Sequence, residues 1–151
     1  MSISARSISG IKYVDAAQLY QWLKSGETSL SQPFQVIDVR GSDYVAGHIK
    51  GCWNYPYKRL ASDDTFMRQL IERLYQACKD ADSDSINVVF HCAQSQQRGP
   101  AAAMKLLREL SDNELDNFNV CVLRGGFNHW QDVYGDDSTV TEDYQPDIWS
   151  W

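Results

Sequence analysis

Cys92 and Arg98 are separated by five residues in the run His91-Cys92-Ala93-Gln94-Ser95-Gln96-Gln97-Arg98-Gly99-Pro100. The run follows an apolar stretch, Ile86 to Phe90, and precedes an Ala-, Leu- and Met-rich stretch from Pro100 to Leu110. This order predicts a buried strand, a polar loop and a helix with proline in its first turn. A loop curled at a helix N-terminus turns backbone N–H groups inward, and the helix dipole adds partial positive charge. Together they can hold a tetrahedral oxyanion (phosphate, sulfate or arsenate) against the backbone of Ala93, Gln94, Ser95, Gln96 and Gln97. A cysteine at the start of such a loop has its thiolate stabilised by the same donors, which arms it as a nucleophile. The planar fork of Arg98 can grip two oxygens of a phosphoryl group and balance their charge in the transition state. Ser95 offers its hydroxyl either to the departing thiolate or to the loop itself. Short patterns recur by chance and buried structural cysteines are common. The strand, loop and helix context, with His91 before and Gly99 after, favours the catalytic reading. His91 and Gly99 are assigned as loop supports, His91 ordering the loop by a hydrogen bond, because an ionised thiol needs no base.

The elements that must position this loop follow from periodicity. Asp15 caps a helix with Leu19, Trp22 and Leu23 on one face, ended by Gly26. Phe34 to Val39 reads as a buried strand, Ser42 to Ala46 as a helical turn, and Gly51 to Pro56 as a brief strand. Phe66, Leu70, Ile71, Leu74, Ala77 and Cys78 recur at three- and four-residue steps, which predicts an amphipathic helix from Asp64 to Cys78. Lys79 to Ser85 is a polar connector. Val120 to Leu123 is a further strand, leading through Arg124-Gly125-Gly126 into a short helix from Phe127 to about Val133. Strands alternating with helices imply a parallel sheet covered on both faces.

A chain of 151 residues, 43% hydrophobic and 23% charged, suits one compact domain, with a core over about 12–133 and an acidic extension over 134–151. A net charge of −6 argues against a nucleic-acid partner. With no apolar run of about 18 residues and no signal-like start, the expected location is cytoplasmic, with the nucleus as a second compartment, and no membrane partner is expected. The cysteines at 52, 78, 92 and 121 are too scattered for a paired zinc motif. No metal or cofactor is called for. Cys52, Cys78 and Cys121 read as core fillers, Trp22 and Trp130 as packing residues, Trp149 and Trp151 as tail anchors or exposed rings, and the stretch from Asp136 to Asp147 as a solvated acidic tail.

His-Cys, five residues, Arg-Gly-Pro resembles the active-site loop of the cell-division-cycle dual-specificity phosphatases and of the fungal arsenate reductases related to them. Ile37-Asp38-Val39-Arg40 with Tyr44 and Gly47-His48-Ile49-Lys50-Gly51 resembles the first signature of the rhodanese superfamily, and Leu123 to Trp130 its second. The match runs from about Asp15 to Trp130 and is similar to a small single-domain yeast phosphatase of that family. The resemblance implies a three-layer α/β/α rhodanese-like domain with a mostly parallel central sheet. It also implies a scaffold role for Asp38, Arg40 and His48. Two features depart from the family's pattern: the loop carries no acidic residue, and Val39 stands where a protective cysteine is usual.

The expected reaction is metal-independent hydrolysis of a phosphorylated protein or small phosphate ester through a cysteinyl-phosphate on Cys92, of phosphotyrosine or dual specificity. Arsenate reduction, thiosulfate sulfur transfer and a non-enzymatic phospho-ligand module are the alternatives. With no acid among Ala93, Gln94, Gln96 and Gln97, departure of the leaving group is expected to be unassisted unless a remote carboxylate serves, such as Asp63, Asp64 or one from the tail.

Overall fold

The computed structural model describes residues 10–149; Trp151 and the Trp149 side chain lie outside the described residues. Five strands form one parallel sheet: β1 (Lys12–Val14), β2 (Phe34–Asp38), β4 (Trp53–Asn54), β5 (Ile86–His91) and β6 (Phe118–Leu123), in the order β1-β6-β5-β2-β4. Alternate side chains feed two separate cores. Ile37, Val88, Phe90, Val120 and Val122 face one core, and Val36, Val89, Cys121 and Leu123 the other. This is the period-two pattern of a sheet buried on both sides, which is why the sequence reads as continuous apolar runs.

On the first face lie α2 (Tyr57–Ser62), α3 (Asp64–Asp80) and α4 (Arg98–Glu109), which contribute Leu60, Met67, Leu70, Leu74, Ala102 and Leu106. On the second lie α1 (Ala16–Ser25) and α5 (Gly126–Tyr134), with Leu19, Phe127 and Trp130. The expected three-layer, mostly parallel architecture is therefore present. α1 stops where expected, with Gly26 at φ 86° and its N–H on the Trp22 carbonyl at 2.7 Å. α2 was not expected, because Tyr57–Ser62 is too short to show a helical period.

Two expectations are corrected. The stretch after Asp136 is not merely a solvated tail: β7 (Thr141–Glu142) pairs antiparallel with β3 (His48–Ile49), Val140 is fully buried, and the Trp130 indole donates to the Thr141 hydroxyl at 2.9 Å. Helix α4 begins at Arg98 rather than Pro100, which places the arginine in its first turn.

Strands β2 and β5 are neighbours, but the chain leaves β2 outward toward β4 and leaves β5 the other way toward β6. A crevice opens at such a reversal, beyond the carboxyl ends of the strands. Behind it Asp38 and Arg40 form a fully buried ion pair. The Arg40 Nη2 donates to Asp38 Oδ2 at 2.7 Å and to the Gly47 carbonyl at 2.8 Å, Nε donates to Asp38, and Nη1 donates to the Asp43 carbonyl at 3.2 Å. Removing only the arginine leaves a buried carboxylate uncompensated. Arg40→Met should lower the urea-derived unfolding free energy by about 3–5 kcal/mol, and the double substitution Asp38→Leu/Arg40→Met by less.

Candidate active site

The loop 92–97 lies at the carboxyl end of β5, where His91 is the last strand residue. Cys92, Ala93, Gln94, Gln96, Gln97 and Arg98 line one cleft of about 240 Å³. Ser95 lies beneath it with φ 57°; its backbone N–H donates to Cys92 Sγ at 3.1 Å, and its hydroxyl accepts from the Cys92 N–H at 3.4 Å. In this structure, then, it is the Ser95 backbone rather than its hydroxyl that meets the sulfur. The backbone N–H groups of Ala93, Gln94, Gln96 and Gln97 make no hydrogen bond to another described residue. Gln97, at the N-cap of α4, contributes no side-chain cap either. A ring of donors without protein partners at a helix N-terminus is what an oxyanion needs.

The first carbonyls of the loop are held away from that use. Cys92 O accepts from the Phe127 N–H at 3.0 Å and lies 3.1 Å from His91 Nδ1, and Ala93 O accepts from the Asn128 N–H at 2.8 Å. The N-terminus of α5 thus docks onto the back of the loop. This close approach explains Gly126, at φ 60°, where an added Cβ would lie 2.5 Å from Ala93 O and 2.6 Å from Cys92 O. The sequence reading took Arg124-Gly125-Gly126 as a turn only and missed this contact. Gly99 packs less tightly, its added Cβ meeting His91 Cα at 3.4 Å.

His91 is fully buried. The Cys92 carbonyl only accepts, so Nδ1 carries the proton, while Nε2 sits 3.7 Å from Asp38 Oδ2 with no hydrogen-bond partner. Burial pushes its pKa down more strongly than Asp38 raises it. The imidazole thus ties the end of β5 to the first carbonyl of the loop.

Arg98 has a partner that the sequence reading did not anticipate. Its Nη1 and Nη2 donate to the two carboxylate oxygens of Asp43 at 3.0 and 2.7 Å. The Arg98 guanidinium beside it holds the Asp43 carboxyl below the ordinary carboxylate range. A signal was available: Asp43 follows β2, so the topology carries it to the same sheet edge as the loop after β5. The acids named from sequence lie elsewhere. Asp63 caps α3, accepting from the Thr65 and Phe66 N–H groups at 3.0 and 3.3 Å; Asp64 pairs with Lys105 at 3.0 Å; Glu142, in the tail, pairs with His48 at 3.3 Å.

The other thiols have different surroundings. Burial pushes Cys52 up to about 12 and Cys121 to about 11. Cys121 is in register with Val89, three residues before Cys92, and belongs to the opposite core. At about 3.3 Å per residue that is roughly 10 Å, beyond the roughly 7 Å Cα separation a disulfide spans. Cys52 precedes Trp53, which aligns with Ile37 and through it with Phe90, so it is both two strands away and below the sheet edge.

Two expected outcomes follow from this geometry. Gly126→Ala should weaken tungstate binding, measured by calorimetry, by about tenfold or more, whereas Gly99→Ala should change it by less than about twofold. Peroxide should add oxygen to Cys92, seen as mass gains in intact-mass spectra, without forming a disulfide to Cys52 or Cys121. A stable disulfide from Cys92 to either would refute the separation argument.

Residues 15–133 match the rhodanese-like domain family. The chain is 53% identical over 145 residues to a CDC25-like phosphatase of Saccharomyces cerevisiae, covering 95% of this chain and 97% of that protein. It is 37% identical over 125 residues to an arsenate reductase of Oryza sativa subsp. japonica, covering 81% of this chain and 83% of the relative. A solved structure described as a yeast protein tyrosine phosphatase of the rhodanese family superposes with a TM-score of 0.88 at 53% identity, covering 95% of this chain and 99% of that one. On the family match, these identities and the shared architecture, the chain belongs to the rhodanese-like family.

Proposed function

We propose that this protein is a cysteine-dependent phosphatase that hydrolyses phosphate monoesters, with Cys92 as nucleophile and Arg98 as oxyanion clamp. The observation that carries the reading is the placement of Cys92 in a cleft where the backbone N–H groups of Ala93, Gln94, Gln96 and Gln97 bond to no other described residue, with Arg98 in the first turn of α4. The names of the 53%-identical yeast relative and of the solved yeast structure support the same chemistry.

The phosphoryl oxygens take the loop N–H groups and the Arg98 fork, which leaves phosphorus above Cys92. The thiolate attacks in line, the S–P bond forms as the P–O bond breaks, and the alkoxide or phenoxide that departs takes up a proton from solvent or from a carboxyl group beside it. Water then attacks the cysteinyl-phosphate, releasing inorganic phosphate and the thiolate. The Ser95 N–H, 3.1 Å from the sulfur, stabilises negative charge there at both ends of the cycle. Phosphotyrosine and dual-specificity protein substrates are the ester classes this reading favours, and the acidic chain must hold their phosphate locally.

Arsenate reduction is the second reading. Arsenate is tetrahedral and would occupy the same cleft, and a relative covering most of the chain is named for that activity. It requires an external thiol as reductant.

Cys92→Ser should abolish turnover of an aryl phosphate, and Arg98→Lys should lower kcat by about 10²–10³, because an ammonium cannot reproduce the fork. Parallel assays with arsenate plus a thiol, and with thiosulfate plus cyanide, should give lower kcat/KM than the aryl phosphate. Higher turnover of thiosulfate than of any ester would overturn the reading.

A further inference from the structure

Asp43 stands where the loop's missing proton donor would be useful. Its backbone and side chain are both constrained: Arg40 donates to its carbonyl at 3.2 Å, and the Gly41 N–H donates to Oδ1 at 3.0 Å. Its carboxylate meets Arg98 through two hydrogen bonds. Arg98 lines the oxyanion cleft, and it also lines a second groove of about 280 Å³ with Asp43, Val39, Pro56, Tyr57 and Lys58. The two cavities therefore share Arg98 as a wall. A phosphoryl group in the first leaves the second for the group it is bonded to, and the half-buried Pro56 and Tyr57 walls suit an aromatic ring.

We propose that Asp43 is the general acid that protonates the leaving oxygen of an aryl phosphate seated in this groove, and the general base of the second step. The proposal rests on the phosphatase reading above. In the first step the Asp43 carboxyl gives its proton to the oxygen of the breaking P–O bond as the Cys92 thiolate forms the S–P bond. The products are a phenol, cysteinyl-phosphate and the Asp43 carboxylate. In the second step that carboxylate takes a proton from the attacking water, the S–P bond breaks, and inorganic phosphate, the thiolate and the Asp43 carboxyl are restored.

Substrate binding supplies the protonated form. Opposite Arg98, Asp43 is ionised, with Lys58 and Tyr57 lining the same groove, the Arg40 guanidinium at its carbonyl, and the Cys92 thiol beyond Arg98. The Arg98–Asp43 pair is about 40% exposed at both side chains, so it is weak enough for a dianion to displace. A dianion that takes the fork removes the positive charge opposite Asp43 and adds a negative one, and both changes favour protonation. Asp38 cannot take this part, being fully buried against Arg40.

The decisive measurement is single-turnover cleavage of a series of substituted phenyl phosphates by wild type and Asp43→Asn. Wild type should show a shallow dependence on leaving-group pKa. The variant should show a steep one, with little loss for 4-nitrophenyl phosphate and a loss of about 10²–10⁴ for phenyl phosphate. Equal loss across the series would make Asp43 a positioner of Arg98 and overturn the assignment, as would a steep wild-type series indifferent to the substitution. Independently, calorimetry of tungstate binding in buffers of different ionisation enthalpy should show uptake of about one proton by wild type and none by Asp43→Asn; no uptake by wild type would also overturn it. If no ester is turned over at all, the phosphatase reading itself fails. Turnover that ignores Asp43 removes only the acid.

Discussion

The Arg40 side chain joins the parts of this protein that must not move relative to one another. From a fully buried position it closes on Asp38 at the end of β2, reaches the Asp43 and Gly47 carbonyls in the following segment, and lies 4.3 Å from the Phe127 ring of α5. A buried guanidinium is tolerable only when its donors are met, and here β2 and the segment after it supply the acceptors while Phe127 of α5 covers the guanidinium. The Phe127 N–H in turn holds the Cys92 carbonyl. One desolvated charge therefore sets the distance between the segment carrying Asp43 and the loop carrying Cys92.

The electrostatics of the site are local. The chain carries a net charge of −6, so attraction of a phosphate ester cannot come from the field of the whole molecule. In the proposed function it comes from backbone donors at the start of α4 and from one guanidinium that already has a carboxylate partner. Arg98 is thus a guanidinium whose charge is opposed by Asp43, and the proposed anion binding is tied to the opening of that ion pair.

Much of the fold was legible because both of its periods are strong. Ile86 to Phe90 and Phe34 to Val39 read as buried strands, and the helix that begins at Asp64 declares itself by three- and four-residue steps. The pieces that did not read were short. Tyr57–Ser62 spans under two turns, and β3 and β7 are two residues each, below any length at which periodicity exists. The packing of Val140 and Thr141 against α5 was hidden for the same reason, since acidic composition dominates that stretch and one tryptophan hydrogen bond organises it.

The sequence by itself determined the chemistry that the loop 92–97 can offer, because the Cys92 thiol, the loop N–H groups and the Arg98 guanidinium all lie within one strand, loop and helix whose geometry is set by neighbours along the chain. Tertiary structure alone decided what surrounds that loop. Asp43 and Arg98 are 55 residues apart, and Gly126 reaches the Cys92 carbonyl from another helix. Such contacts depend on which strands are neighbours and where the chain reverses direction across the sheet. A carboxylate in a connecting segment looks the same in sequence whether it caps a helix, as Asp63 does, or faces an arginine across a crevice, as Asp43 does.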